Sequence, residues 1–288
     1  TEHGSVYLPS GYSVDSSRRY PVLILLHGLG GEDTDWFGGG YLVDILDRAI
    51  ADGRLQPLIV VMPDGGNGYW TDWVTDEDAR FSSLVEPETR LWVQRTFRTD
   101  GRIAIGGISM GGFGALSIAL QNPGRYAAVL SFSGALFRQF PTGRSVYLRA
   151  FGYPGLKQGR FAFRNPIVLA KHGMADKESI WLDCGSADRA RFTKGLRVMS
   201  NALSERGIQH MAKFRPGRHH WDVWLAGIED ALPWLNGAFK RAQGIPFHPP
   251  KMFAQPEAPQ RRKRLALDFP TKRGVGHTRD QALHLAVP

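Results

Sequence analysis

Ser109 lies in Gly107-Ile-Ser-Met-Gly111, a Gly-x-Ser-x-Gly pentapeptide, and the chain later offers Ser186-Ala-Asp188 and then His219-His220. A serine hydroxyl is a poor nucleophile at neutral pH. It needs a base, usually histidine, and the base needs a third group to hold its tautomer. Ser, then Asp, then His is one of the orders in which these roles occur along a chain, and the chemistry they would carry out together is acyl transfer through the serine. The flanks of the pentapeptide suit that role. An apolar β-like run, Ile103 to Ile105, enters it, and a helix-compatible run from Met110 to Gln121 leaves it, closed by Asn122-Pro123. Such a strand-turn-helix elbow forces strand and helix together, so the serine's neighbours must be small, a need that Gly107 and Gly111 meet.

Each partner has a competitor. Asp183 lies within the apolar run Ser179-Ile-Trp-Leu-Asp-Cys184, whereas Asp188 lies in the loop that follows and has freedom to reach a histidine, which favours Asp188. His219 and His220 are adjacent and cannot both face the serine. Acyl transfer also needs donors aimed at the developing oxyanion. The backbone amide of Met110, directly after the serine, is one candidate. The amide of Leu29, within the glycine-rich His27-Gly-Leu-Gly-Gly31, is the other.

The elements that must position these residues alternate in type. Ser5 to Pro9, Tyr20 to Leu26, Leu58 to Met62, Tyr126 to Phe132, Ser179 to Cys184 and Ile208 to Arg215 read as strands, several of them apolar throughout, as strands covered on both faces are. Helices are expected around Leu42 to Ile50 with Gly53 as C-terminal stop, over Glu86 to Phe97, over Thr193 to Arg206 and over Trp221 to Phe239, the last kinked at Pro233. Strands alternating with helices imply an α/β fold, a mostly parallel central sheet with helices on both faces. Residues 1–243 read as one such domain, with a cap-like insertion at about 135–178. That insertion interleaves Arg138, Arg144, Arg149, Arg160 and Arg164 with aromatics and ends in a short helix capped by Asn165 with Pro166 at its first position. Residues 244–288, rich in proline and basic residues, read as a mobile tail.

Composition excludes several classes. The 288 residues are 42% hydrophobic and 22% charged, the balance of an ordinary globular chain, and no apolar run approaches the roughly 20 residues of a membrane span. The net charge of +9 invites an anionic partner, but from Gly244 onward eight Lys or Arg face three Asp or Glu, so the tail holds +5 of it. Nucleic acid is therefore not expected as a partner, while the Arg261-Arg-Lys-Arg264 cluster could touch an anionic surface. Gly28-Leu-Gly30 lacks the third glycine of a dinucleotide loop, and paired adjacent histidines are poor zinc chelators, so neither a cofactor nor a metal is expected. Cys184 is the single cysteine, which excludes an internal disulfide. Localisation, cytoplasmic or secreted, stays open because a targeting segment could precede Thr1, and composition says nothing of oligomeric state.

Four blocks in collinear order, Leu25-Leu-His-Gly-Leu-Gly-Gly31, Met62-Pro-Asp-Gly-Gly66 with Thr71-Asp-Trp73, Gly107 to Ala115, and His219-His-Trp-Asp-Val-Trp224, give the chain a resemblance over about residues 6–239 to the putative esterase family of α/β-hydrolases. That family includes esterase D, S-formylglutathione hydrolase, bacterial feruloyl esterases and the antigen 85 mycolyltransferases. The resemblance implies Ser109, Asp188 and His219 as catalytic triad, with Leu29 and Met110 as oxyanion amides. It has no counterpart for the tail. Antigen 85 members usually carry glutamate where this chain has Asp188, which leans toward the hydrolytic members. The expected activity is that of a serine carboxylic ester hydrolase on a small-molecule ester or acylated saccharide. The alternatives are acyl transfer to a sugar or lipid alcohol, and a non-catalytic binding protein on the same fold. Trp36, Trp70, Trp73 and Trp221, near the expected mouth, suggest an apolar or aromatic acyl group or a stacked sugar.

Overall fold

The computed structural model describes residues 2–15, 17–38, 41–73, 75–152, 158–172, 179–242 and 282–287. Its strands are β1 (Glu2–Tyr7), β2 (Tyr20–Leu26), β3 (Ile59–Pro63), β4 (Thr99–Ile108), β5 (Ala128–Phe132), β6 (Ser179–Gly185), β7 (His210–Arg215) and β8 (Ala282–Val287). They form one sheet in the order β7-β6-β5-β4-β2-β3-β1-β8. From β7 to β3 all pairs are parallel, and β1 joins β3 antiparallel.

Helices α1 (Asp35–Gly38), α2 (Leu42–Ala51), α3 (Phe81–Ser83), α4 (Arg90–Thr96), α5 (Met110–Gln121), α6 (Ser145–Phe151), α7 (Gln158–Arg164), α8 (Pro166–Lys171), α9 (Ala190–Glu205) and α10 (Trp221–Arg241) cover both faces. Along β2, Val22, Ile24 and Leu26 belong to the core on the face of α5, α8 and α9, while Leu23 and Leu25 belong to the core on the face of α2 and α10. Side chains alternate between the faces of a strand, so a strand covered twice must be apolar throughout. That is the physical content of the Tyr20 to Leu26 run.

The strand order reverses at β2, whose neighbours are β3 on one side and β4 on the other. Crossovers leaving in opposite directions open a crevice at the carboxyl ends of these strands, the usual ligand position in such sheets. Leu26 at the end of β2 lies opposite Gly107 near the end of β4, so the His27 to Gly31 loop and Ser109 emerge side by side.

Several expectations need correction. The helix expected over Glu86 to Phe97 is regular only from Arg90, because Glu86 is extended (φ −128, ψ 107) and Pro87 follows it. Helix α10 continues through Pro233, the position of the expected kink, and Pro233 is exposed, so the carbonyl it leaves unpaired can be solvated. Within the described parts of the 135–178 insertion, α7 and α8 pack on α5, and α8 also packs on α9. Every α5 residue from Met110 to Leu120 is buried, which explains a helix apolar all round: sheet on one side, insertion on the other. The insertion's aromatics serve this packing, with Phe113 of α5 against Phe137 and Phe151 at ring separations of 5.7 Å. Within the segment expected to be a mobile tail, Ala282–Val287 forms β8, antiparallel to β1 from Glu2↔Val287 to Tyr7↔Ala282. The rest of that expectation, including Arg261 to Arg264, lies outside the described residues, as does the side chain of Arg160.

Candidate active site

Ser109 occupies the turn between β4 and α5 with φ 54 and ψ −110, a conformation that costs a non-glycine residue on the order of 1–3 kcal/mol. Its surroundings hold it there. The Ser109 amide donates to the Phe132 carbonyl at 2.9 Å, and its own carbonyl accepts from the amides of Phe113 (3.1 Å) and Ala135 (2.9 Å). A methyl group on Gly107 would lie 2.5 Å from the Gly111 carbonyl carbon and 2.6 Å from the Leu26 carbonyl oxygen, too close for any side chain. Both glycines of the pentapeptide are thus required by backbone approach.

His219 follows β7, the edge strand, three strand positions away from β4, a span of roughly 14 Å at ordinary strand spacing. The loop after β7 crosses this distance by folding over the end of β6. The amides of Ser186 and Ala187 donate to the carbonyls of Arg215 and Gly217 at 2.7 and 2.9 Å, and Gly217 supplies a φ of 124 at the bend. His219 Nε2 then stands 2.9 Å from Ser109 Oγ, and its Nδ1 stands 2.8 Å from Asp188 Oδ2. Phe192 of α9 stacks on the imidazole at 4.1 Å and 19°, and Trp224 of α10 meets it edge-on at 4.9 Å. The ring is clamped on a face and an edge.

The Asp188 side chain is fully buried. Burial works to raise its pKa, but the His219 hydrogen bond and charge, the Arg189 amide (2.7 Å to Oδ1) and the Ser133 hydroxyl outweigh it, holding the carboxyl below the usual range. Cys184 lies behind it, Sγ 3.8 Å from Oδ2, and burial together with the Asp188 charge pushes the thiol up to about 12. It stays protonated and does not compete for His219. The carboxylate and the imidazole therefore fix Nδ1 as the protonated nitrogen and leave Nε2 as acceptor from the serine hydroxyl.

Neither competitor reaches this set. Asp183 inside β6 is held by a bidentate pair with Arg215 at 2.8 and 2.6 Å, 1% exposed, joining β6 to β7. His220 is three-quarters exposed and bonded to Asp222 at 3.0 Å.

The Leu29 and Met110 amides take part in no hydrogen bond among the described residues; Met110 directly follows Ser109, and Gly28, next to Leu29, lies against Ser109, where an added Cβ would stand 3.7 Å from the Ser109 Cβ. The Leu29 loop is held by residues to which the sequence reading gave no such role. His27, fully buried, donates from Nδ1 to the Gly28 carbonyl (2.9 Å), and the Gly65 amide points at its Nε2 (3.0 Å). Asn67 Oδ1 accepts the Gly30 amide at 2.7 Å, and Trp70 Nε1 donates to the His27 carbonyl at 3.2 Å. Three bonds thus tie the Leu29 loop to the loop after β3. The signal for His27 was present, a histidine directly ahead of the glycine run. Phe192 gave none, because its contact with His219 depends on how α9 leaves the sheet.

The tryptophans divide. Trp36 and Trp70 are 0% exposed and offer no surface to a ligand, which corrects the expectation for both: Trp36 backs Trp221 at 5.6 Å, and Trp70 packs against Gly65 and Gly114. Trp73 and Trp221 are half-buried. Trp221 reaches the site through Trp224 (5.3 Å), and Trp73 carries the Arg149 guanidinium 5.5 Å above its ring. No helix among the described residues is long and apolar enough to cross a membrane.

In comparison with known proteins the chain is similar to esterases. The family described as Putative esterase matches residues 2–235. An esterase of Mycobacterium tuberculosis is 31% identical over 251 residues, covering 75% of this chain and 52% of its own length. The chain thus spans about half of that relative. An acetyl esterase of Caldicellulosiruptor saccharolyticus is 26% identical, covering 76% of this chain and 85% of its own. Among solved structures, a ferulic acid esterase superposes with a TM-score of 0.71 at 22% identity, over 82% of this chain and 92% of its own. At that identity the likeness speaks for the fold.

Proposed function

The chain belongs to the putative esterase family, and from that premise we propose that it is a serine carboxylic ester hydrolase acting through an acyl-enzyme. The observation that carries the proposal is the unbroken line from Ser109 Oγ through His219 to buried, ionised Asp188, at 2.9 and 2.8 Å. In this scheme His219 Nε2 takes the hydroxyl proton as Ser109 attacks the ester carbonyl, and Asp188 steadies the imidazolium that forms. The oxyanion is received by the Leu29 and Met110 amides, and each such donor is worth roughly 2.7–4 kcal/mol of barrier. His219 returns the proton to the departing alcohol, and water, activated by the same nitrogen, releases the acid. Every group in the scheme belongs to the chain. A small-molecule ester or an acylated saccharide suits the half-buried Trp73 and Trp221, both of which keep surface that a ligand could cover.

The test is hydrolysis of p-nitrophenyl esters from acetate to palmitate by the wild type and by Ser109→Ala, with glycerol or trehalose added as competing acceptor. Turnover that disappears in the variant and yields free acid supports the proposal. Acylated glycerol or trehalose as main product would make the protein an acyltransferase, since only the second nucleophile differs. Activity that survives Ser109→Ala would overturn the mechanism, and no turnover of any ester would favour a binding protein on this fold.

A further inference from the structure

Beside Ser109, at the same carboxyl edge of the sheet, a cavity of about 290 Å³ opens between the segment after β5 and the first turn of α9. Ala135 and Leu136 form its inner wall, and Arg138, Gln139, Arg191 and Lys194 surround it. The Ala135 amide is the one bonded to the Ser109 carbonyl, and Ala190, also on the wall, is two residues from Asp188. The cavity and the triad thus share their backbone.

Three cations meet here without an acid. None of the ion pairs formed among the described residues includes Arg138, Arg191 or Lys194, although acids and bases pair freely elsewhere. The Arg191 guanidinium lies 4.7 Å over Phe192, the ring that stacks on His219. Surface cations are commonly just solvated; converging on one concavity with no counter-charge, they raise the local concentration of anions.

The side of the substrate this field meets follows from the direction of proton transfer. In the acyl-transfer scheme the ester C–O bond breaks and the leaving oxygen takes its proton from His219 Nε2, so the alcohol half must lie on the histidine's side of Ser109. The cavity is on that side, because Ala190, Arg191 and Lys194 of its wall belong to the same turn of α9 as Phe192, the ring stacked on His219. Resting on the ester-hydrolase reading, we propose that the cavity is a leaving-group subsite for an anion, and that preferred substrates are esters whose alcohol portion bears a carboxylate.

The experiment compares two acetate esters of nearly equal leaving-group basicity, 3-(4-acetoxyphenyl)propanoate and its primary amide. The wild type is expected to favour the carboxylate in kcat/KM by on the order of tenfold, since each exposed ion pair contributes at most a few-fold. Most of the difference should appear in KM, and it should shrink toward unity at about 0.5 M NaCl, where exposed charges are screened. Arg138→Gln with Lys194→Gln, both exposed positions, should abolish the preference, and Arg138→Lys with Lys194→Arg should keep it. A wild-type ratio near one, a ratio that survives the double glutamine variant, or one lost equally in the charge-conserving pair would overturn the proposal. Titration calorimetry of Ser109→Ala with 3-(4-hydroxyphenyl)propanoate and its amide reads the subsite without catalysis. Equal binding of the two overturns the subsite even if esters are cleaved. Tighter binding of the acid with no ester turnover in the wild type would preserve the anion site and refute the hydrolase reading instead.

Discussion

Replacing Asp188 by asparagine should reverse the tautomer of His219, and the hydrogen bonds around the carboxylate give the reason. Asp188 Oδ1 accepts the Arg189 amide at 2.7 Å, and Oδ2 accepts from His219 Nδ1 at 2.8 Å. Asparagine has one acceptor oxygen. The Arg189 amide is a fixed backbone donor in a buried site, and turning the side-chain NH2 toward it would leave two donors face to face, at a cost of about 1–3 kcal/mol. The oxygen therefore stays with Arg189 and the NH2 faces His219, which must accept at Nδ1 and carry its proton on Nε2. In that state Nε2 donates to Ser109 Oγ instead of accepting from it, and the base is blocked. A wrong tautomer in a triad of this kind lowers kcat about 10⁴-fold, or about 5.5 kcal/mol at 1.36 kcal/mol per decade. The assay is kcat for p-nitrophenyl acetate between pH 6 and 10, with ¹⁵N spectra of His219 reading the proton's position. Loss of fewer than about tenfold, or a variant whose spectrum still shows Nδ1–H, would refute this reasoning.

Three other outcomes follow from the same geometry. Asp188 titrates below its unfolded value, so its contribution to stability is present above about pH 4 and is lost as pH falls through the lower folded value; the gap in urea midpoint between wild type and Asp188→Asn should therefore narrow between pH 7 and acid pH, and a constant gap would contradict it. Asp183→Asn removes the bidentate partner of Arg215, which keeps Asp230 at 3.0 Å, and should cost about 1–3 kcal/mol in denaturant unfolding while kcat stays near wild type; a selective loss of kcat would make Asp183 part of the site. Trp36→Ala empties a fully buried position and should lower stability by about 3–5 kcal/mol without changing KM for short-chain esters, whereas a raised KM at unchanged stability would return Trp36 to the substrate.

Local sterics and periodicity were legible in the chain itself. Gly107 and Gly111 had to be small because Leu26 and the backbone of the turn leave no room for a Cβ, and the unbroken apolar run of β2 announced a strand covered on both faces. The order Ser109, Asp188, His219 narrowed the site to a few side chains. The place of Asp188 in a loop already favoured it over Asp183, which the structure ties into a pair with Arg215, whereas His219 and His220, adjacent and of equal chemistry, were separated only by the tertiary structure, which turns His220 into solvent. It also showed Trp36 and Trp70 to be buried, the insertion to cover α5, and Ala282–Val287 to pair with β1. The physical reason is one of range. Backbone conformation and hydrophobic period depend on residues a few positions apart, whereas the distance from His219 to Ser109, 110 positions along the chain, depends on strand order and on a loop that crosses the end of β6.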